Sequence, residues 1–237
     1  SDRNELELRA AGYPAARTRV VPLLVDLSRF EDRPKRVAKG QGDPWQLLFV
    51  GRFIPHKNHQ GLVVMLAELL RITEKTVHLT LVGGGDPSVL DRVAALAHQM
   101  GVSDNLTIAG KVSDDHLSRL YSGADLYVSM SEHEGFGMPL IEAMIHSVPI
   151  VAYAPAESNV VDTVQGGGLL TEAASPAVIA SAAATVLENP ELQSELLAAQ
   201  QKQLEALQPE QLYQRFEAFM EQLGLYLPPR PAGERIR

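Results

Sequence analysis

Short runs of apolar residues alternate along this chain with longer stretches in which apolar residues recur every three or four positions. That alternation is the sign of β-α-β units feeding a parallel sheet. The runs predict strands at Arg19–Leu23, Leu47–Val50, Val77–Val82, Leu106–Ala109, Asp125–Met130, Pro149–Ala152 and Gly168–Leu170. Leu47-Leu48-Phe49-Val50 has no polar position, as a strand covered on both faces requires. The intervening stretches predict helices at Asn58–Ile72, Pro87–Met100, Asp114–Ser122, Pro139–Ile145, Pro176–Leu187, Pro190–Leu207 and Pro209–Leu223. Asn58 suits an N-cap, Gly101 suits the position just past a helix, and proline opens several helices where a first turn tolerates it. Phe30–Asp43 is charged and turn-rich and reads as a surface loop; Leu225–Arg237 has no period and reads as a loose end. The expectation is one doubly wound α/β domain over residues 1–224, with ligands bound beyond the carboxyl ends of its strands.

Composition narrows the function classes. Of 237 residues, 45% are hydrophobic, enough for a substantial core. The formal net charge is −8 with no basic stripe, which argues against a nucleic-acid partner. Cysteine is absent, so disulfides and thiolate metal sites are excluded. No apolar run approaches the roughly 20 residues that cross a bilayer, and no signal peptide opens the chain. The first residue is Ser1 rather than Met, a hint of an excised or processed chain.

Three predicted strand ends carry unusual residues. After Val50, Gly51 permits a tight turn, and Arg52 and Lys57 stand on the loop that leads to Asn58. A guanidinium fork and an ammonium point charge suit a diphosphate, although a lone pair of this kind reads more simply as an exposed basic loop. After Val82 come Gly83, Gly84 and Gly85, which can bring backbone close to a ligand and leave N–H groups for it, or simply make a tight turn into a helix. After Met130 comes Glu132-His133-Glu134-Gly135-Phe136-Gly137-Met138-Pro139-Leu140-Ile141-Glu142-Ala143-Met144. Here two glycines let backbone wrap a ligand, and the helix from Pro139 points its positive end at the same place. Glu142, one turn into the helix, can accept hydrogen bonds from a sugar diol, and Glu134 can contact a second hydroxyl-rich group. Dipole pairing for Glu134 and simple exposure for Glu142 are equally open on these residues alone.

Glu134 to Glu142 matches the Glu-x7-Glu signature of family 4 glycosyltransferases, whose GT-B fold pairs two Rossmann-like domains. Val50-Gly51-Arg52 with Lys57 resembles the family's diphosphate loop, and Val82-Gly83-Gly84-Gly85 its glycine-rich turn. Ala109-Gly110-Lys111-Val112, followed by Leu117 and Ala124-Asp125, resembles its base-binding segment and next strand. Pro149-Ile150-Val151-Ala152 resembles its usual continuation. These blocks occur in family order from about Ser1 to Leu223.

The resemblance implies a single Rossmann-like doubly wound parallel sheet, the C-terminal half of a GT-B fold, which binds a nucleotide diphosphate sugar. Arg52 and Lys57 would bind the donor diphosphate beside Gly51 and Gly83, and would act in catalysis together with Glu134. Glu142 would bind the ribose hydroxyls, and backbone near Val112 the base edge. Glu134 and the backbone of Gly135, Phe136 and Gly137 would hold the donor sugar. The N–H groups of Met138 and Leu140 would meet phosphate, since Pro139 has none. The resemblance further implies a retaining reaction without metal or other cofactor, because Arg, Lys and a helix dipole replace a cation at the leaving diphosphate. It implies a cytoplasmic setting, or a peripheral one at the inner face of the membrane through another domain.

Two departures stand out. Asn159 takes the place where an acidic residue is expected, and nothing corresponds to the family's N-terminal acceptor domain. His56, His59, His133 and His146 lack ligand spacing, so no metal site is expected. A nucleotide-sugar-binding module without turnover and a GT-B-type epimerase are the alternatives; an oxidoreductase would need an acid placed for a ribose after its second strand, and none is there.

Overall fold

The computed structural model describes residues 2–15, 18, 20, 40, 42–155 and 158–225. The strand expected at Arg19–Leu23 and most of the loop at Phe30–Asp43 lie outside the described residues, as does the tail beyond Leu225. Six strands form one parallel sheet: β1 (Trp45–Val50), β2 (Val77–Val82), β3 (Leu106–Gly110), β4 (Leu126–Ser129), β5 (Ile150–Tyr153) and β6 (Leu169–Thr171). Their order is β3-β2-β1-β4-β5-β6, with every pairing parallel. Each of the six strands predicted within the described residues is present, with ends shifted by at most two residues.

Nine helices are described: α1 (Asp2–Ala10), α2 (His59–Ile72), α3 (Pro87–Gln99), α4 (Asp114–Gly123), α5 (Met138–Ile145), α6 (Asn159–Val164), α7 (Pro176–Glu188), α8 (Pro190–Ala206) and α9 (Pro209–Gln222). The seven predicted ones are all there. The pattern did not reveal α1, which has little apolar periodicity, or α6, which is too short to show any. Helix α2 buries Leu62, Val63, Met65, Leu66 and Leu69 against the sheet and α7, each worth roughly 1.5–3 kcal/mol. The alanines Ala180, Ala183 and Ala184 on α7 allow that close approach. Helices α5 and α8 pack together, α5 also meets α6, and the sheet is covered on both sides. Side-chain caps start several of the helices: Asn58 accepts from Gly61 N at 3.0 Å, Asp86 from Ser88 N at 2.8 Å and Asn189 from Leu192 N at 3.0 Å.

The order reverses between β1 and β4. There the strands pair over only Leu47–Leu126 and Leu48–Tyr127 and then separate. Tyr127 spans the gap, its buried hydroxyl donating to Val50 O at 3.3 Å. This is the crevice in which open parallel sheets take their ligands.

On the other side of β1, the loops after β1 and β2 continue the ladder beyond the strands. Gly51 N donates to Val82 O, Phe53 N to Gly84 O, and Asp86 N to Phe53 O, at 2.9–3.0 Å. Gly83 has φ +146°, and a β-carbon on it would enter the Gly51 carbonyl. Both the conformation and the contact demand glycine. Gly83→Ala should therefore cost more than about 3 kcal/mol, a melting-temperature drop of roughly 6–12 °C or more for a domain of this size. Gly123 has ordinary backbone angles and open space around it, and Gly123→Ala should stay within about 1 kcal/mol. Thermal unfolding of the two variants side by side checks the contrast.

The first residue of α2, His59, lies buried between the rings of Phe53 (4.0 Å, stacked) and Phe49 (5.1 Å, edge-on). Burial lowers its pKa from 6.5 to about 4; the Gly51 backbone opposes this in part and the Lys57 charge adds to it. The folded protein therefore binds fewer protons than the unfolded chain below pH 6.5, and stability that is intact above that pH falls as the pH approaches 4. At about 1.4 kcal/mol per unit the loss is on the order of 3 kcal/mol. Melting temperatures of the wild type should decline between those pH values, and His59→Phe should flatten the decline.

Candidate functional site

The β1 loop turns at Gly51, where a β-carbon would strike the Phe49 ring at 2.8 Å. A short 3-10 turn, Pro55–Lys57, then aims Lys57 back across the crevice. Its ammonium meets the Glu134 carboxylate at 2.5 Å and lies 3.4 Å from His133 O. Both side chains are largely enclosed, at 13% and 11% exposure. The same loop holds the β4 loop by its backbone, since Glu132 N donates to His56 O at 2.8 Å. Arg52 stands exposed on the rim. The structure thus brings Lys57 and Glu134 together across the crevice, with Arg52 on the same β1 loop, and it adds what the sequence did not show: the lysine expected at phosphate and the carboxylate expected at a sugar are ion-paired to each other.

The glycine-rich loop after β2 is less open than expected. Gly83 N donates to Gly110 O at 2.8 Å, and the close approach that Gly83 permits is to Gly51 rather than outward. Gly84 makes room for the aliphatic chain of Lys111, which crosses it from the end of β3. Gly110 is left-handed at φ +63°, and the following Val112 lies half-buried against the core beside the cap of α4, so the expected base segment borders the same strand ends.

Beyond β4, the chain passes Glu134 and enters α5. Gly137 is its N-cap in the left-handed region, at φ +73°. Gly135 needs no such freedom: its φ is ordinary, and a β-carbon would meet open space. The side chains of Phe136 and Met138 pack in part on the core. Leu140 is buried, and its N–H bonds Gly137 O at 2.8 Å. Of the two N–H groups expected at phosphate, the Leu140 one is thus engaged within the helix and Met138 is the better placed.

Glu142 is half-buried on the first turns of α5. Its Oε2 accepts from the Tyr121 hydroxyl at 2.9 Å, which also lies 3.1 Å from Pro139 O. Tyr121 is fully enclosed, and burial with the neighbouring Glu142 charge pushes its pKa well above 10.0. It remains a neutral donor at any ordinary pH. Its ring stacks on buried His146 at 5.3 Å, and His146 in turn faces Ser122 Oγ at 3.1 Å. Tyr127, beside Tyr121 at 6.2 Å between ring centres, is raised in the same way, by burial first and by the Glu134 charge next.

Sequence reasoning did not single out Tyr121, Tyr127 or Thr163, and it marked Asn159 only as a departure. The signal for Tyr121 was an aromatic on the inner face of a short polar helix; for the α6 pair there was none but the departure at Asn159. Asp125, part of a recognised block, has no place in the crevice. It joins the amino ends of the central strands β1 and β4, where its carboxylate accepts from Gln46 N at 2.8 Å. Among the described residues no three His, Asp or Glu side chains gather as a metal site, and no helix is long and apolar enough to cross a membrane.

Residues 30–203 match the family model of glycosyl transferases group 1. The chain is 33% identical over 178 residues to a D-inositol 3-phosphate glycosyltransferase of Segniliparus rotundus, covering 73% of this chain and 39% of that protein. It is 30% identical over 190 residues to a GDP-mannose-dependent alpha-(1-6)-phosphatidylinositol monomannoside mannosyltransferase of Mycobacterium tuberculosis, covering 73% of this chain and 48% of that one. The chain therefore spans about half the length or less of these relatives. In structure it superposes on Anabaena HepE in complex with UDP with a TM-score of 0.80 at 20% identity, over 93% of this chain and 62% of that one. The Rossmann-like α/β half of a GT-B fold is thus present, and by its family match over most of its length the chain belongs to the glycosyl transferases group 1 family.

Proposed function

We propose that this chain binds the donor of a retaining, family 4 glycosyltransferase, which moves a sugar from a nucleotide diphosphate sugar to an acceptor held by a separate N-terminal domain. The observation that supports it most is the meeting of Lys57 and Glu134 over the β1/β4 switch, at the amino end of α5. Arg52 and Lys57 take the diphosphate, helped by the dipole of α5, so the leaving group is stabilised without a divalent metal. Glu142 takes the ribose hydroxyls with Tyr121 holding one of its oxygens, and backbone near Val112 meets the base. Glu134 with the loop to Gly137 takes the sugar. When the diphosphate arrives, Lys57 is shared between it and Glu134, which couples the sugar and phosphate subsites. A cytoplasmic protein, peripheral to the membrane only through another domain, fits this reading.

Isothermal titration with uridine, guanosine, UDP, GDP, UDP-glucose and GDP-mannose tests the phosphate clamp. Arg52→Ala or Lys57→Ala should weaken the preferred diphosphate by roughly 1.5–3 kcal/mol and leave the nucleoside nearly unchanged. Chelator should change nothing. Equal losses for nucleoside and diphosphate, or binding that returns only with magnesium or manganese, would remove the assignment.

The glutamates separate by ligand. Glu142→Gln should weaken nucleotide and nucleotide sugar alike, whereas Glu134→Gln should spare the bare nucleotide and weaken the sugar donor. Tyr121→Phe should follow Glu142→Gln, with a loss of about 1 kcal/mol that disappears for a 2′,3′-dideoxy nucleotide. If instead both glutamate variants only lower the melting temperature, the two carboxylates are structural.

A further inference from the structure

The sugar-binding role proposed for the loop between Glu134 and Gly137 needs its backbone N–H groups to face the ligand, and the helix behind the loop decides which way they point. Helix α6 presents two donors to it. Asn159 Nδ2 donates to Glu134 O at 3.0 Å. Thr163 Oγ1 lies 2.7 Å from Phe136 O and 2.8 Å from Asn159 O, so its hydrogen is shared between them. Both side chains are more than nine-tenths buried. The described peptides are all trans, and in a trans peptide the carbonyl and the next N–H point in opposite directions. Turning the carbonyls of residues 134 and 136 into α6 therefore turns the N–H groups of Gly135 and Gly137 away from it. Gly137 is also the N-cap of α5, so its N–H lies at the positive end of that helix.

We infer that Asn159 and Thr163 are positioning residues, which aim the Gly135 and Gly137 N–H groups at the oxygens of a nucleotide diphosphate sugar; this rests on the donor-site reading above. The amide at 159 matters chemically. Its Oδ1 is buried and has no hydrogen-bond partner among the described residues. Exchanging the two ends of the amide would set oxygen against the Glu134 carbonyl, so the donor end is held inward at the expense of an unmatched acceptor. A carboxylate at this position could only accept, and it would favour the opposite peptide orientation, with an N–H turned inward. The acidic residue expected here would thus present the loop differently, and Asn159 marks this chain's own arrangement.

The test uses isotope-labelled 237-residue chain, observed by NMR without ligand and then titrated with UDP-glucose, GDP-mannose and UMP. Asn159→Asp adds a carboxylate to the first turn of α6, a favourable place for one, so the fold should survive. Without ligand it should move the Glu134 carbonyl-carbon and Gly135 amide resonances. It should also weaken the nucleotide sugar that the wild type binds by fivefold or more, and weaken UMP by less than twofold. Thr163→Val should act in the same direction with a smaller effect, and Thr163→Ser should restore wild-type affinity. Unchanged Glu134 and Gly135 resonances in Asn159→Asp would overturn the clamp whatever the ligand results. Moved resonances with unchanged donor affinity, while Glu134→Gln still weakens the donor, would overturn the positioning role and leave the donor site standing. If neither variant changes donor affinity, the donor-loop reading falls and this inference with it. Should Asn159→Asp fail to fold, the Thr163→Val and Thr163→Ser pair gives the same decision through the Phe136 carbonyl-carbon and Gly137 amide resonances.

Discussion

Two charges removed from water need one another. Lys57 and Glu134 are both nearly enclosed, and each supplies the opposite charge that the other's burial calls for. Their meeting joins the loop after β1 to the loop after β4, at the point where the strand order reverses. A parallel sheet with this reversal leaves a crevice, because the helices that follow adjacent strands go to opposite faces. The ion pair, the Glu132–His56 backbone bond and the Tyr127 hydroxyl all cross it. The crevice is therefore a tied seam whose ties are polar groups, the kind of group an incoming diphosphate or sugar can compete for.

Around that seam the fold divides the labour between backbone and side chain. The loop side toward β2 is rigid: Gly51 and Gly83 are pressed together, and the ladder runs on past the strand ends to Phe53 and Gly85. Its glycines serve the contact between two loops. The loop side toward β4 is the roomier one. Only Gly137 there is bound to a left-handed conformation, and Gly135 is surrounded by space. A ligand would meet a cation-bearing wall on one side and, on the other, a backbone whose carbonyls are held by α6.

Tyrosines hold this arrangement from beneath. Tyr121 and Tyr127 lie side by side under the crevice, each hydroxyl committed upward, one to Glu142 and the other to Val50 O. A buried phenol is a neutral donor with a fixed direction, so it can orient a carboxylate without adding charge to a site that must receive a diphosphate. Asn159 and Thr163 treat the backbone in the same manner from the side of α6.

The sequence by itself determined the fold class, nearly every strand and helix of the described residues, and kinship with glycosyltransferases. Strands buried on both faces must be continuously apolar, helices on a sheet must repeat at 3.6, and caps and prolines announce their starts, all of which are local rules. It also placed Arg52, Lys57 and Glu134 on loops that follow strands and Glu142 in the helix beyond, on the side of the sheet where ligands gather. It could not show that Lys57 and Glu134, 77 positions apart, would pair with each other, that Gly83 answers to Gly51, or that Leu140 N–H is used within its own helix. Nor did it distinguish Tyr121 from any other core aromatic, or reveal α6, whose six residues are too few to show a period. Those outcomes depend on which loops the sheet brings side by side, and only the tertiary structure sets the distances at which a hydroxyl, an amide or a missing β-carbon matters.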